Sequence, residues 1–258
     1  MRTFVLGDIH GAAKALEQCF ERSGLDKKND VLIQLGDVVD RHDEVFECVE
    51  MLLQVDNLIA LKGNHDDWFA DFLRTDAHPR DWIYGGIDTV KSYLKHAGKA
   101  EVFSEEGEGY GTNLVASDVP VTHQEFFARQ RPYYVDEHNR CFVHGGFSPR
   151  LPMNQQHSED FYWDRFLWQN AYEHKRLFGD EEHPGDIGIV PDFSEVYLGH
   201  TPTTNWKTDQ PLNAFNIWNI DTGAAHSGRL TIMDVDTNEY WQSDLLPALY
   251  PENSRYKG

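Results

Sequence analysis

Short apolar runs along the chain stop repeatedly at glycine and then at an acid or an imidazole. Thr3-Phe4-Val5-Leu6 ends in Gly7-Asp8-Ile9-His10-Gly11, and Ala12 to Arg22 then carries helical spacing through Leu16, Cys19 and Phe20. Asp30 to Leu35 ends in Gly36-Asp37-Val38-Val39-Asp40-Arg41, and Glu44 to Leu53 follows as a helix with Val45, Val49, Leu52 and Leu53 on one face. Asn57 to Leu61 ends in Gly63-Asn64-His65-Asp66. Strand, polar turn and helix in repeated succession predict an α/β fold.

Residues 67 to about 139 break this rhythm. Trp68, Phe69, Phe72 and Leu73 predict one helix, 82–86 a turn, and Ile87 to Leu94 a second helix, while the acidic, Gly-rich Glu105 to Gly111 predicts a mobile loop. The stretch reads as a largely helical excursion that buttresses the site. The sheet pattern resumes at Cys141-Phe142-Val143, running into His144-Gly145-Gly146, and at Val196-Tyr197-Leu198, running into Gly199-His200-Thr201-Pro202. Lys175 to Asp192 reads as a Gly/Pro-interrupted loop. Phe215 to Ile220 and Leu230 to Val235 read as strands, with Asp221-Thr222-Gly223 between them, that close the sheet antiparallel. Trp163, Phe166, Leu167 and Trp168 are assigned to the core. The expected organisation is a single domain over 1–245, with its excursion at about 67–139, and a tail over 246–258.

Composition narrows the partners. A chain of 258 residues, 40% hydrophobic, can bury a substantial core, and its net charge of -20 makes nucleic acid and anionic membrane poor partners. Cys19, Cys48 and Cys141 form neither a disulfide framework nor a zinc knuckle, and we read them as three inert thiols suited to a reducing compartment. Met1 to Leu6 already reads as a strand with no leader before it, and no apolar run approaches the ~20 residues that span a bilayer. The expectation is a cytoplasmic protein.

Strand ends are where ligands bind in open α/β sheets. There the chain places Asp8, His10, Asp37, Asn64, His144 and His200, an oxygen and nitrogen donor set without thiolate that suits Mn²⁺, Fe or Zn²⁺. Six ligands exceed what one catalytic ion with an open position uses, whereas two ions roughly 3.5 to 4 Å apart would use them well. Asp37 is central in the set and its carboxylate has two oxygens, so it is the bridging candidate. Such a pair activates a shared water and clamps phosphate oxygens, with Arg41 and Arg165 able to add planar forks. This is the chemistry of a phosphate ester hydrolase.

The five motifs Gly7-Asp8-Ile9-His10-Gly11, Gly36 to Arg41, Gly63 to Asp66, His144-Gly145-Gly146 and Gly199-His200-Thr201 stand in the order of the calcineurin-like metallophosphoesterases. Over about residues 3 to 235 the chain resembles more narrowly the phosphoprotein phosphatases, the serine/threonine phosphatase family, in their bacterial and phage form. The resemblance implies a two-sheet α/β/β/α sandwich with metals at its rim. It implies one metal on Asp8, His10 and Asp37, and a second on Asp37, Asn64, His144 and His200, with Mn²⁺ favoured. His65 matches the general acid and Asp40 the carboxylate that orients it, since an imidazole beside two cations needs an anion to stay protonated. Arg41 matches a phosphate-binding arginine, and Arg165, within Trp163-Asp164-Arg165, the second.

Two residues depart from the family pattern: His42 stands where a glycine is usual, and Asp66 where a glutamate is usual. His42 is expected to face solvent. His78, His96, His123, His138 and His226 carry no metal-ligand spacing and are assigned to the surface or to satisfied core positions. The implied activity is one-step hydrolysis of phosphoserine or phosphothreonine in a phosphoprotein or small phosphoester, with dual specificity toward phosphotyrosine also in view. The related dinucleoside polyphosphate hydrolases, acting on diadenosine tetraphosphate, are the alternative, and a catalytically inactive scaffold is a third reading that the filled ligand set disfavours.

Overall fold

The computed structural model of the protein describes residues 1–79, 82, 84–106, 109–179 and 190–253. The first half holds β1 (Thr3–Leu6), α1 (Ala13–Ser23), β2 (Val31–Gln34), α2 (Val45–Leu52), β3 (Asn57–Ala60) and α3 (Asn64–Thr75). Then come α4 (Gly86–His96), β4 (Phe103–Glu106), β5 (Gly109–Thr112) and α5 (Val121–Arg129). The second half runs through β6 (Tyr133–Val135), β7 (Arg140–Val143), α6 (Asp160–Trp163), α7 (Phe166–Phe178) and β8 (Glu195–Leu198). It ends with β9 (Leu212–Ala214), β10 (Ile217–Asn219), β11 (Thr231–Asp234), β12 (Tyr240–Gln242) and α8 (Leu246–Leu249).

Alternation along the strands sorts side chains into layers. Phe4 and Leu6 of β1 and Leu32 of β2 pack with α1 to α5, whereas Val5 and Ile33 point the other way. There they meet Phe142 of β7 and Tyr197 of β8, while Cys141, Val143, Val196 and Leu198 face α6 and α7. The result is an α/β/β/α sandwich, as the resemblance implies. One sheet has the order β12-β11-β1-β2-β3 and the other β6-β7-β8-β10-β9. In each, three adjacent strands run parallel, β1, β2 and β3 in one and β7, β8 and β10 in the other. All six therefore present their carboxyl ends to a common rim.

Several expectations are corrected. β10 and β11 do not close one sheet together: β10 lies parallel to β8, whereas β11 crosses to the other sheet and runs antiparallel to β1, with Phe4 opposite Asp234. The acidic stretch expected as a loop contributes to an antiparallel ribbon of β4 and β5. Helix α7 continues through Phe178, past the expected start of a loop at Lys175. The excursion ends before 139, because Tyr133–Val135 already belongs to the second sheet. Residues Leu246 to Tyr250 are no loose tail, since Leu246 is fully buried and Tyr250 Oη donates to Glu44 Oε2 at 2.5 Å and accepts the Lys14 N–H at 3.0 Å. Residue 83 of the expected turn, residues 107–108 and 180–189 of the expected loops, and residues 254–258 of the tail lie outside the described residues. Cys19, Cys48 and Cys141 are buried and unpaired. Among the described residues no helix is long and apolar enough to cross a membrane.

Candidate metal centre

Each of the six parallel strands delivers candidate groups to the rim: Asp8 and His10 after β1, Asp37, Asp40 and Arg41 after β2, and Asn64 and His65 in the first turn of α3 after β3. His144 follows β7, His200 follows β8 and Asp221 follows β10. His10, Asp37, Asp40, Arg41 and His200 all adopt positive φ, between 51° and 73°. Such a backbone costs a non-glycine residue about 1–3 kcal/mol and persists only when its surroundings hold it. Here the Ile9 and His10 N–H groups donate to Asp37 O at 3.0 and 2.9 Å, and Gly11 N–H donates to Val38 O at 2.8 Å.

Asp66 holds the same loop from below. Fully buried, its carboxylate accepts the N–H groups of Asp37 (2.8 Å), Val38 (2.9 Å) and Gly63 (3.1 Å) and the Gln130 amide (2.8 Å). Burial and then the Asp37 charge push its carboxyl up to about 6 against those hydrogen bonds. A Cβ on Gly63 would run into Asp37 Oδ1, which accepts the His65 N–H at 3.0 Å. The departure from glutamate is thus a support for the site and lies outside its donor set.

The imidazoles are aimed by their outer nitrogens. A carbonyl can only accept, so His10 Nδ1–H donates to Val39 O (3.0 Å) and His144 Nδ1–H to Leu35 O (2.8 Å). Both Nε2 atoms then stand 3.5 Å from Asp37 Oδ2, and His144 Nε2 is 3.2 Å from Asn64 Oδ1. Among the described residues, His200 Nε2 and Asp8 Oδ1 are buried with no hydrogen-bond partner, while Asp8 Oδ2 accepts the His200 N–H at 3.1 Å and so ties the two sheets together. Gly199 permits that approach, because a Cβ there would strike Asp8 Oδ1. The ligand atoms of Asp37, His144 and His200 lie within 4.8 Å of one another, as do those of His10, Asp37 and His65. Asp37 is common to both groups.

The electrostatics favour cations. Burial holds His10 and His200 well below the usual imidazole range, so both offer lone pairs. Burial opposes charge on Asp37, yet His144 and His65 keep its carboxyl well below the usual range. Asp8 is driven well above it by burial, then by Asp221 and Asp37. Buried, unfilled donors of both kinds facing one space are what divalent ions satisfy, and the residues present fit a metal pair.

Beside them, His65 Nδ1–H donates to Asp40 Oδ2 at 2.6 Å. Asp40 is fully buried, and its Oδ1 accepts from Trp82 Nε1 (3.0 Å) and Thr89 Oγ1 (2.6 Å), both supplied by the excursion. Burial lowers the proton affinity of His65, but Asp37 and Asp40 outweigh it and raise its pKa. Asp8, His10, Asp37, Asn64, His65 and His200 line one cavity of about 250 Å³, with Arg41 and Arg165 at its rim. Arg165 Nη1 donates to His200 O at 2.7 Å and to Thr201 Oγ1 at 3.1 Å.

Three residues differ from the sequence reading. His42 is buried, 2% exposed, with Nδ1–H donating to His10 O at 2.9 Å and its ring 4.6 Å from that of Tyr250. Trp163 is 42% exposed at the site's edge, and Phe166 is 71% exposed, while Leu167 and Trp168 are core. His226 is exposed, in keeping with its assignment to the surface, and lines the cavity together with Asp221, which the sequence reading left out of the site. Asp221 carried a weaker signal: in Ile220-Asp221-Thr222-Gly223, as in Val143-His144-Gly145, the donor directly follows the apolar run and the glycine comes after it.

Carboxylates and imidazoles converging at the rim of such a sandwich define a metallohydrolase site. Residues 1–222 match the family model for calcineurin-like phosphoesterases, and the chain belongs to that family. It is 25% identical to serine/threonine-protein phosphatase 1 of Salmonella typhimurium over 89% of each chain. It is also 22% identical to the symmetrical bis(5'-nucleosyl)-tetraphosphatase of Pseudomonas fluorescens, over 99% of this chain and 100% of that one. A crystal structure assigned provisionally as a diadenosine tetraphosphatase shares the fold at a TM-score of 0.63 and 17% identity, covering 93% of this chain and 92% of that one.

Proposed function

We propose that the protein hydrolyses phosphomonoesters, phosphoserine and phosphothreonine of proteins foremost, by direct attack of water. The observation that carries this reading is His65, held by the buried Asp40, lining the same cavity as Asp8, His10, Asp37, Asn64 and His200 and two arginines. Asp8, His10 and Asp37 would hold one ion and Asp37, Asn64, His144 and His200 the other. Bound there, divalent ions, Mn²⁺ before Fe or Zn²⁺, supply a nucleophilic water at neutral pH and offset the phosphate charge. Arg41 and Arg165 orient phosphate oxygens through their planar forks. His65 delivers a proton to the leaving oxygen, and Asp40 keeps that proton on the ring by fixing Nδ1–H. The Salmonella relative, named for serine/threonine phosphatase activity, supports the choice of ester. A cytoplasmic setting accords with the three unpaired thiols.

Hydrolysis of dinucleoside tetraphosphates is a second reading, favoured by the full-length match to the Pseudomonas relative. Mn²⁺-loaded protein assayed on a phosphoserine peptide and on diadenosine tetraphosphate separates the two, and exclusive cleavage of the dinucleotide overturns our choice. In His65→Asn, turnover should fall by about 10²- to 10⁴-fold with metal content unchanged. Full activity in that variant excludes His65 as the acid.

A further inference from the structure

An aromatic wall stands directly outside the cavity and has no part in the chemistry above. The Trp68 ring lies 4.9 Å from the His65 ring, edge to face, and the Trp163 ring lies 6.1 Å from that of His200 in the same geometry. Trp68 and Trp163 meet at 5.5 Å, and Tyr84 stacks over Trp68 at 6.3 Å with a 27° interplanar angle. The wall thus runs unbroken from the proton donor to a candidate metal ligand. Its two halves are tied together, since Tyr162 Oη, next to Trp163 on α6, donates to Asp67 Oδ2, next to Trp68 on α3, at 3.3 Å. Trp163 is 42% and Tyr84 57% exposed, so large apolar faces stay in water where nothing in the fold needs them.

We propose that Trp68, Trp163 and Tyr84 form a leaving-group subsite for an aromatic ring, so that phosphotyrosine gains binding there that phosphoserine cannot. The inference rests on the phosphomonoesterase reading and names the ester that the same site favours. The leaving oxygen must reach His65, so whatever that oxygen carries is brought against the neighbouring Trp68. A phenolic ring is bonded to that oxygen directly and arrives edge or face to the indoles, an arrangement aromatic pairs favour. A nucleobase is held away by a ribose, and a serine side chain brings no ring. The bond made is from water oxygen to phosphorus, the bond broken joins phosphorus to the phenolic oxygen, and His65 supplies that oxygen's proton. The wall adds no step to this exchange.

The test compares kcat/KM for one peptide sequence carrying phosphotyrosine or phosphoserine, in Mn²⁺-loaded wild type, Trp163→Leu, Trp68→Leu/Trp163→Leu and Trp163→Phe. Taking the ratio of the two peptides in each protein, relative to wild type, removes the greater intrinsic reactivity of phenyl esters and any general loss of active protein. The ratio should fall roughly tenfold in the double variant, the size of one good aromatic contact, and recover in Trp163→Phe. An unchanged ratio, with both peptides still hydrolysed, overturns the subsite alone. If wild type turns over neither peptide, the phosphomonoesterase reading falls and takes the subsite with it. If the leucine variants lose diadenosine tetraphosphate hydrolysis while keeping the phosphotyrosine to phosphoserine ratio, the wall serves a nucleobase and the proposal is wrong.

Discussion

Asp221 shows what burial does to a carboxylate even with His144 and Arg165 near enough to favour its charged form. It is 4% exposed, and burial pushes its carboxyl from 3.8 up to about 6 although the Gly223 N–H donates to it at 3.0 Å. Between those two values the folded chain keeps a proton that the unfolded chain has released, so stability falls as pH rises through the window. Asparagine retains an acceptor for Gly223 and cannot ionise. In chelated protein, Asp221→Asn should therefore raise unfolding free energy at about pH 7.5 by on the order of 1–3 kcal/mol, with the gain gone near pH 4. Urea titrations at both pH values measure this, and an equal gain at each would exclude ionisation as its cause. Asp66, also raised to about 6, bears the same kind of cost but returns it through its bonds to four backbone N–H groups.

At the scale of elements, the excursion does more than brace the sheet. Helix α4 supplies Thr89, which donates to Asp40 Oδ1 and accepts the Asp40 N–H at 2.8 Å, and Trp82 precedes that helix on the same carboxylate. Asp40 has φ of 72°, so its backbone depends on those bonds. Thr89→Val keeps the side-chain shape and removes both partners. It should cost about 1–3 kcal/mol of stability and lower kcat roughly tenfold with KM held, because the His65 ring loses its fixed carboxylate. A rise in KM with kcat intact would place Thr89 in substrate binding instead. The segment over Leu246–Tyr250 also supports the site, since the Tyr250 ring covers His42 and His42 holds the His10 carbonyl.

Across the whole molecule, the donor set straddles two sheets. Asp8, His10, Asp37 and Asn64 belong to the loops of one and His144, His200 and Asp221 to those of the other, with the His200 N–H bond to Asp8 already spanning the joint. Ions held between them would bind the folded state alone and act as a clamp. Mn²⁺ at a hundred times its Kd should add about 2.7 kcal/mol and raise Tm, and chelation should reverse the gain. Asp37→Asn should abolish the rise, since Asp37 is shared by both ligand groups. A Tm that ignores Mn²⁺ in the wild type would argue that the donors face one another without holding metal.

What the chain determined by itself was local. A strand that ends on glycine and then on aspartate, asparagine or histidine can be read from residues 3 to 66 without knowing its neighbours, because strand period, glycine's lack of a Cβ and donor chemistry all lie within a few positions. The same grammar reached His200, and a looser form of it, with the donor directly after the apolar run and glycine behind it, covers His144 and Asp221. Tertiary structure decided everything that depends on what packs from afar. It put β10 and β11 in different sheets, because strand pairing is a matter of distant register. It buried His42 beneath a tyrosine about two hundred residues away, left Trp163 open at the rim, and turned Asp66 into an anchor for four loop amides. Burial and exposure belong to the neighbours a residue acquires on folding, and those neighbours are not adjacent in the chain.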